Sequence, residues 1–453
     1  MIVTTNPSTG KVIKEYAALS EQQVDQQVKR AKAAFPAWSA LSYAERAQVL
    51  QRVAASLRNN KAKLSQLMTD EMGKPVKEAG PEVEKSAWCA EHYAEHAQAY
   101  LADLELPSDA QRSYVKHQAL GTLLGVLPWN APLWIAFRYL APALMAGNTC
   151  VLKHDPHVAG CGEAIVELFH EAGAPEDIVV NLPIANQQVE QAIRHPDIAA
   201  VSFTGSAKAG AIVASIAASE IKHAVLELGG SDPLIVLEDA DLEAAADIAV
   251  LSRIINAGQS CIAAKRIIVA QSIYASFIDK LQQRLGQLTV GDPNDVATDV
   301  GPIARADLRD NLHRQVCESI AQGAKCLLGG EMSKTEGFFY PVTLLVDVSP
   351  TMTAFKEEVF GPVMVVSSAR DVEHAIALAN DSEYGLGAGV WTNNAQLAEQ
   401  LAWQIEAGQV AINGIVKTDP RLPSGGIKRS GLGRELGPHG IKEFVNAKQV
   451  WIK

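Results

Sequence analysis

The chain has 453 residues, 48% of them hydrophobic and 20% charged, with 40 Lys and Arg against 51 Asp and Glu for a formal net charge of −11. At roughly 100–200 residues per domain, that length predicts two or three domains, and the composition excludes a disordered or fibrous chain. The acidic balance argues against a nucleic-acid surface, which rests on Lys and Arg, and no stretch approaches the ~18 uninterrupted apolar residues of a spanning helix, so neither nucleic acid nor membrane is an expected partner.

The N-terminal MIVTTNPSTGKVIKEY lacks a basic segment leading into an apolar one, as expected of an unexported protein. From about 21 to 100, EQQVDQQVKRAKAAFPAW, YAERAQVLQRVAASLRNNKAKLSQLMTDEM and PEVEKSAWCAEHYAEHAQAYLADL set apolar residues three and four apart, which predicts amphipathic helices. SYVKHQALGTLLGVLPWN alternates and then turns continuously apolar, predicting an exposed ribbon that feeds a buried strand. Between 120 and 240, short apolar runs such as TCVLKH, IVVNLP, AAVSFTG and DPLIVLE alternate with helical segments, the rhythm of βαβ units around a parallel sheet. The rhythm recurs from 241 to about 410, so a second α/β domain is expected, with a boundary near ELGG. The closing FVNAKQVWIK reads as a strand that pairs with the ribbon near 113–118, within the chain or across subunits.

The six cysteines, at 89, 150, 161, 261, 317 and 326, show neither metal-binding CxxC spacing nor disulfide density, so no metal site is expected and reduced thiols in a cytoplasm fit best. One of them, Cys261, sits in NAGQSCIAAKR among Asn, Gly, Gln and Ser, with Lys265 and Arg266 downstream. A lone Cys is commonly inert core, whereas a nucleophile needs thiolate character. In AAVSFTGSAKAGAIVASIA a strand runs through Thr204, Gly205 and Ser206 into a helix, where free N–H groups can meet a phosphate. This is no Walker loop, since Ala211 follows Gly210, and the chain contains no G-x-G-x-x-G. Alone, the stretch is an ordinary βα turn, Asn130 a turn residue and Glu227 a strand-end carboxylate.

In combination, LPWNAPLW (127–134), FTGSAKAG (203–210), LELGGSDP (226–233), NAGQSCIAAKR (256–266), KEEVFGPV (356–363) and SGGIKRSGLGRE (424–435) resemble the aldehyde dehydrogenase superfamily in order and spacing over nearly the whole chain. Through KHDP, LELGGSDP and NGIVKTDPRLP the sequence is most similar to the succinate-semialdehyde dehydrogenase branch. The resemblance implies an α/β fold with a Rossmann-type cofactor domain (1–100 and 120–228), an α/β catalytic domain (229–439) and a small β oligomerisation ribbon (101–119 and 440–453). Homodimers or homotetramers follow by the same analogy.

The resemblance makes Cys261 the nucleophile, the Asn130 amide and the Cys261 N–H the oxyanion donors, and Glu227 the base that activates water, so hydrolysis rather than transfer to coenzyme A is expected. It places Trp129 near the cofactor, Lys153 on the adenine-side ribose, Gly205 and Ser206 at the pyrophosphate, Glu358 on the nicotinamide ribose and Phe360 against the ring. Pro156 stands where NAD-selective members often carry a carboxylate. Its loss removes a repulsion against a 2′-phosphate, and Lys153 with His154 adds attraction, which tips a choice of NADP or NAD toward NADP. Asp155 turned into the pocket would reverse that preference.

For substrate, Arg138 matches the arginine that grips a distal carboxylate, with Thr418, Lys417 and Arg421 in support. The family's second arginine is replaced by Ile255, so the clamp is weaker or rebuilt from another direction. Ile262 and Ala263 after Cys261 rule out a C-x-C redox pair at this site, and Glu435, a relay acid in relatives, meets Tyr139 where they carry lysine. The expected activity is NAD(P)-dependent oxidation of succinate semialdehyde to succinate through a cysteine thiohemiacetal and thioester. The alternatives are a glutarate-semialdehyde or broad-specificity aldehyde dehydrogenase, and a retired dehydrogenase scaffold acting as a binding protein.

Overall fold

The computed structural model describes all 453 residues. A hairpin of Ile2–Thr5 and Val12–Tyr16 comes first. Sequence reading missed it because only alternate residues of its first strand, and Tyr16 of the second, are fully buried. Four helices follow, Glu21–Ala40, Tyr43–Asn59, Lys61–Met72 and Val76–Tyr100. Reciprocal capping boxes, Ser20 with Gln23 and Ser42 with Glu45, start the first two and satisfy N–H groups that a helix start leaves free.

A six-stranded sheet holds, in spatial order, Gly431–Leu432, His223–Glu227, Ile198–Thr204, Thr122–Leu127, Thr149–His154 and Val179–Asn181. All neighbours pair in parallel except the first two. Thr122–Leu127 comes first in sequence among the parallel strands and has later strands on both sides, so the winding reverses beside it. In open α/β sheets a ligand crevice lies at such a point, beyond the carboxyl ends of the strands. Trp129 and Asn130 follow one strand there, and Gly205 and Ser206 follow its neighbour.

After Glu227 the chain passes through Leu228, Gly229, Gly230 and Ser231 into a second, seven-stranded sheet at Asp232. Its spatial order is Lys325–Leu328, Thr343–Val346, Val363–Ala369, Ala264–Ala270, Asp232–Val236, Gly387–Trp391 and Gln409–Ile412, parallel apart from the first edge strand. Its central strands are buried on both faces, which is why they read as unbroken apolar runs. The expected 229–439 unit departs from this architecture at its end, because Gly431 and Leu432 return to the first sheet opposite Glu227 and Leu226.

Leu104–Glu105, Arg112–Ala119 and Val445–Ile452 form a three-stranded antiparallel ribbon. The C-terminal strand pairs within the chain, from Val445 opposite Ala119 to Ile452 opposite Arg112. The stretch 440–444 is not ribbon: Ile441–Phe444 forms a short helical turn whose Ile441 and Phe444 are buried. No helix is long and apolar enough to cross a membrane.

Candidate active site

The helix Leu242–Ile254 ends in a turn where Asn256, Ala257 and Gly258 all take positive φ, 56°, 54° and 73°. Such backbone at a non-glycine residue costs on the order of 1–3 kcal/mol and persists only where its surroundings over-determine it. The Asn256 N–H donates to Glu78 Oε2 at 2.7 Å, and its side-chain Nδ2 donates to the Asn130 carbonyl at 2.8 Å. Buried Arg253 donates to the carbonyls of Gly258 (2.6 Å) and Val359 (3.2 Å). The Gln259 side chain bridges the Asn256 carbonyl and the Ala304 N–H. This scaffold sets Cys261 in the turn before the strand Ala264–Ala270.

Cys261 is half-buried. Burial pushes its thiol up to about 11; Lys265 and Arg138 oppose the shift, while Glu358 and Glu227 reinforce it. The resting sulfur is therefore held as the thiol. Asn130 Nδ2 donates one hydrogen to the Gln259 carbonyl at 3.1 Å and keeps its second free. The Cys261 N–H has no acceptor within the chain. Two N–H groups, one on Asn130 and one on the Cys261 backbone, thus have no acceptor in the chain.

Of the two cations downstream, only Lys265 faces the nucleophile. Its Nζ donates to the carbonyls of Ser260, at 2.6 Å, and Cys261, and lies 3.3 Å from Glu358 Oε1. Arg266 points to the opposite side, as consecutive strand residues do, and donates to the Ser231, Leu378 and Ala379 carbonyls. Sequence reading gave Lys265 no role beyond its charge.

Glu227 ends its strand buried, and its Oε1 has no hydrogen-bond partner. Burial raises its pKa and Glu435 adds to the rise, against Arg138 and Arg434. A Cβ at Gly425 would come within 2.6 Å of that oxygen, so glycine leaves the carboxylate its space.

Arg138 is buried and its Nη2 approaches Glu435 Oε2 to 2.5 Å. The pair is in charge contact without aligned N–H groups, since neither Glu435 oxygen receives a directed hydrogen bond. This corrects two expectations. Glu435 does have a cation, one residue before Tyr139, and Arg138 is not a free charge waiting for a carboxylate.

Thr418 is buried, and its Oγ1 accepts from Trp134 Nε1 (3.0 Å) and from Lys85 Nζ (2.8 Å). Trp134 and Arg138, four apart on the helix Pro132–Met145, share one face. Lys417 and Arg421 do not join them. Neighbouring residues of an extended loop face opposite ways, so with Thr418 inward Lys417 is exposed and unpaired, and the exposed Arg421 is held by Asp419 at 2.7 Å. Lys85 and Trp134 escaped sequence reading. The spacing of Trp134 to Arg138 is a usable signal for one, but nothing local in PEVEKSAW marks the other.

At the cofactor end, the Trp129 and Phe360 rings meet edge to face at 6.0 Å. Glu358 Oε1 accepts from the Gly230 N–H at 3.1 Å, and its carboxylate lies so close over Gly229 that a Cβ there would overlap it. Ser206 caps the helix Ala207–Ser219, whose N-terminus opens beside Gly205. Lys153 Nζ is anchored by Asn186 Oδ1 at 2.7 Å, and burial lowers its pKa. Asn186 is a further residue that sequence reading overlooked.

Pro156 opens the turn Pro156–Val158, and the Asp155 carboxylate turns back to accept the His157 N–H at 2.9 Å, committed to capping that turn. His154 is not the expected extra cation. It is buried, donates from Nε2 to the Pro132 carbonyl at 2.9 Å, and burial lowers its pKa to about 4, so the ring is neutral. Lys153 at the ribose end, a helix N-terminus in the middle and Glu358 beside the aromatic pair form a donor set that fits a dinucleotide.

The aldehyde dehydrogenase family model matches residues 1–450. A probable NADP-dependent succinate-semialdehyde dehydrogenase of Synechocystis is 47% identical over 451 residues, covering 100% of this chain and 99% of the relative. The Escherichia coli succinate semialdehyde dehydrogenase [NAD(P)+] Sad is 43% identical, covering 99% and 97%. The crystal structure of succinic semialdehyde dehydrogenase from Streptococcus pyogenes in complex with NADP+ superimposes with a TM-score of 0.97 at 34% identity, over the whole of both chains. The chain belongs to the aldehyde dehydrogenase family.

Proposed function

We propose that this protein oxidises succinate semialdehyde to succinate with NADP in preference to NAD, through a thiohemiacetal and then a thioester on Cys261. One observation carries the chemistry: Asn130 Nδ2 keeps a free hydrogen while bound to the Gln259 carbonyl two residues before Cys261, the Cys261 N–H is unpartnered, and the unpartnered Glu227 Oε1 belongs to a carboxylate that acts on the same half-buried thiol. The names of the Synechocystis and Escherichia coli relatives support the substrate.

Glu227, whose raised pKa makes it a competent acceptor near neutrality, takes the thiol proton as Sγ attacks the aldehyde carbon. The new oxyanion receives the Asn130 and Cys261 N–H groups. The bound nicotinamide cofactor supplies the acceptor for the hydride lost from that carbon. Glu227 releases that proton to solvent, then takes a proton from water as its oxygen adds to the thioester, and as the C–S bond breaks it returns this proton to Sγ, restoring the Cys261 thiol and releasing the acid. Lys153, anchored by Asn186, would hold the adenine-side ribose, the helix opening at Ser206 would hold the pyrophosphate, and Glu358 would hold the nicotinamide ribose. Pro156 supports NADP, because it puts no acid at the position where one would repel a 2′-phosphate; Asp155, whose charge acts on Lys153, has its Oδ1 engaged by the His157 N–H.

A broader aldehyde substrate range is favoured by one feature, the neutralisation of Arg138 by Glu435. Steady-state kcat/KM for succinate semialdehyde and for butanal, with each cofactor and with a Cys261→Ala control, separates the readings. Comparable values for both aldehydes would favour the broad one. We infer in addition that the ribbon receives a second copy of this chain, since Leu104, Leu106, Trp451 and Ile452 are all large, apolar and exposed there. A cytoplasmic location is part of the same reading.

A further inference from the structure

A small ω-carboxy aldehyde brings a negative charge into the pocket, and the Arg138 charge is already met by Glu435. Position 255, six residues before the nucleophile, carries the uncharged Ile255. Lys85 lies on the helix Val76–Tyr100, far from these residues in sequence. Glu82, one turn earlier on the same face, accepts the N–H groups of Leu133 (3.0 Å) and Trp134 (3.1 Å), fixing this helix against the start of the one that carries Trp134 and Arg138. Lys85 Nζ then sits 4.2 Å over the Trp134 ring and donates to Thr418 Oγ1 at 2.8 Å.

The charge of Lys85 has no carboxylate to meet it. Glu82 is paired with Lys74, Asp419 is paired with Arg421, and no acidic oxygen comes within ion-pair distance of Lys85. Thr418 Oγ1 already accepts from both Lys85 and Trp134, so its own O–H is left to donate, and Lys85 keeps two N–H groups. Three donors, two of them on a half-buried cation, therefore lack an acceptor of fitting charge.

We propose that Lys85 is a specificity-determining residue of the substrate pocket, its ammonium and the Thr418 hydroxyl receiving the distal carboxylate of the aldehyde opposite Arg138. This rests on the proposed oxidation of an ω-carboxy aldehyde and identifies the residue that rebuilds the clamp lost at Ile255. The Trp134 ring beneath the ammonium holds it in place without neutralising it. Burial and the positive field of Arg138 lower the Lys85 pKa to about 8, against Cys89, Glu82 and Asp419, which favour its charge. A bound carboxylate relieves that loss.

The test measures kcat/KM for succinate semialdehyde and for butanal with saturating NADP, in wild type, Lys85→Met and Lys85→Arg, between pH 7 and 9.5. The ratio of the two aldehydes is expected to fall at least about tenfold in Lys85→Met, equivalent to about 1.4 kcal/mol, through KM for the carboxylated substrate, and to be largely regained in Lys85→Arg. In wild type the ratio should fall as pH rises past about 8, where Lys85 loses its proton, and in Lys85→Arg it should stay level. A residue that merely held Thr418 in place would move neither the pH dependence nor the arginine rescue. A strong wild-type preference that survives in Lys85→Met overturns the role of Lys85 alone. A wild type without preference overturns the substrate reading, and the role of Lys85 with it.

Discussion

Arg138 and Glu435 form a buried ion pair, Nη2 to Oε2 at 2.5 Å, and both act electrostatically on Glu227 from opposite directions. Glu435 raises the pKa of the base and Arg138 lowers it. In the proposed mechanism Glu227 works as the carboxylate, so activity should fall as pH drops through its pKa. Glu435→Gln should move the acid limb of the kcat profile to lower pH, and Arg138→Gln should move it higher. Glu435→Gln should also lower stability by about 3–5 kcal/mol, because it strands a buried guanidinium, and chemical denaturation measures that loss. Limbs that shift the same way in both variants would contradict the arrangement.

Asn130 holds the Gln259 carbonyl with one amide hydrogen, and in the proposed mechanism it offers the other to the reacting oxygen. Asn130→Ala should lower kcat by about 10²–10³-fold, the usual cost of one oxyanion donor, while NADP affinity measured by fluorescence titration stays near that of wild type. A change in cofactor affinity without a change in kcat would place Asn130 outside the oxyanion site.

Pro156 stands three residues after Lys153 in place of a further carboxylate, and Asp155, whose charge acts on Lys153, caps the turn at His157. Pro156→Glu should lower the NADP-to-NAD ratio of kcat/KM by about tenfold or more through repulsion of the 2′-phosphate. Lys153→Ala should raise KM for NADP more than for NAD. Equal losses with both cofactors would mean that this corner does not discriminate between them.

The parallel sheets were legible because strands buried on both faces read as apolar runs, and the nucleophile loop because its motif is dense and local. The pairing of Val445–Ile452 with the ribbon was half legible, since a strand signal does not say which copy it joins. The N-terminal hairpin was not, for lack of a sustained apolar alternation. Charge partnerships were the least legible part of the site. Arg138 with Glu435, Arg421 with Asp419, and Lys85 left unpaired beside Thr418 each depend on which way a side chain turns and on elements hundreds of residues apart, or on a one-residue step along a loop. The neutrality of His154 likewise follows from burial against the Pro132 carbonyl and not from its neighbours in the chain.

Glu227→Gln leaves Cys261 and both oxyanion donors in place while removing the base that delivers water to the thioester. The most direct measurement is rapid mixing of this variant with succinate semialdehyde and NADP, followed by NADPH absorbance and intact-protein mass after an acid quench. Because the same variant also removes the proposed acceptor of the Cys261 thiol proton, the predicted result is a slow single burst of up to one NADPH per chain that quickens as pH rises, no sustained turnover, and a succinyl group on the peptide that carries Cys261. Sustained turnover at the wild-type rate, or a burst with no acyl group on Cys261, would contradict the account.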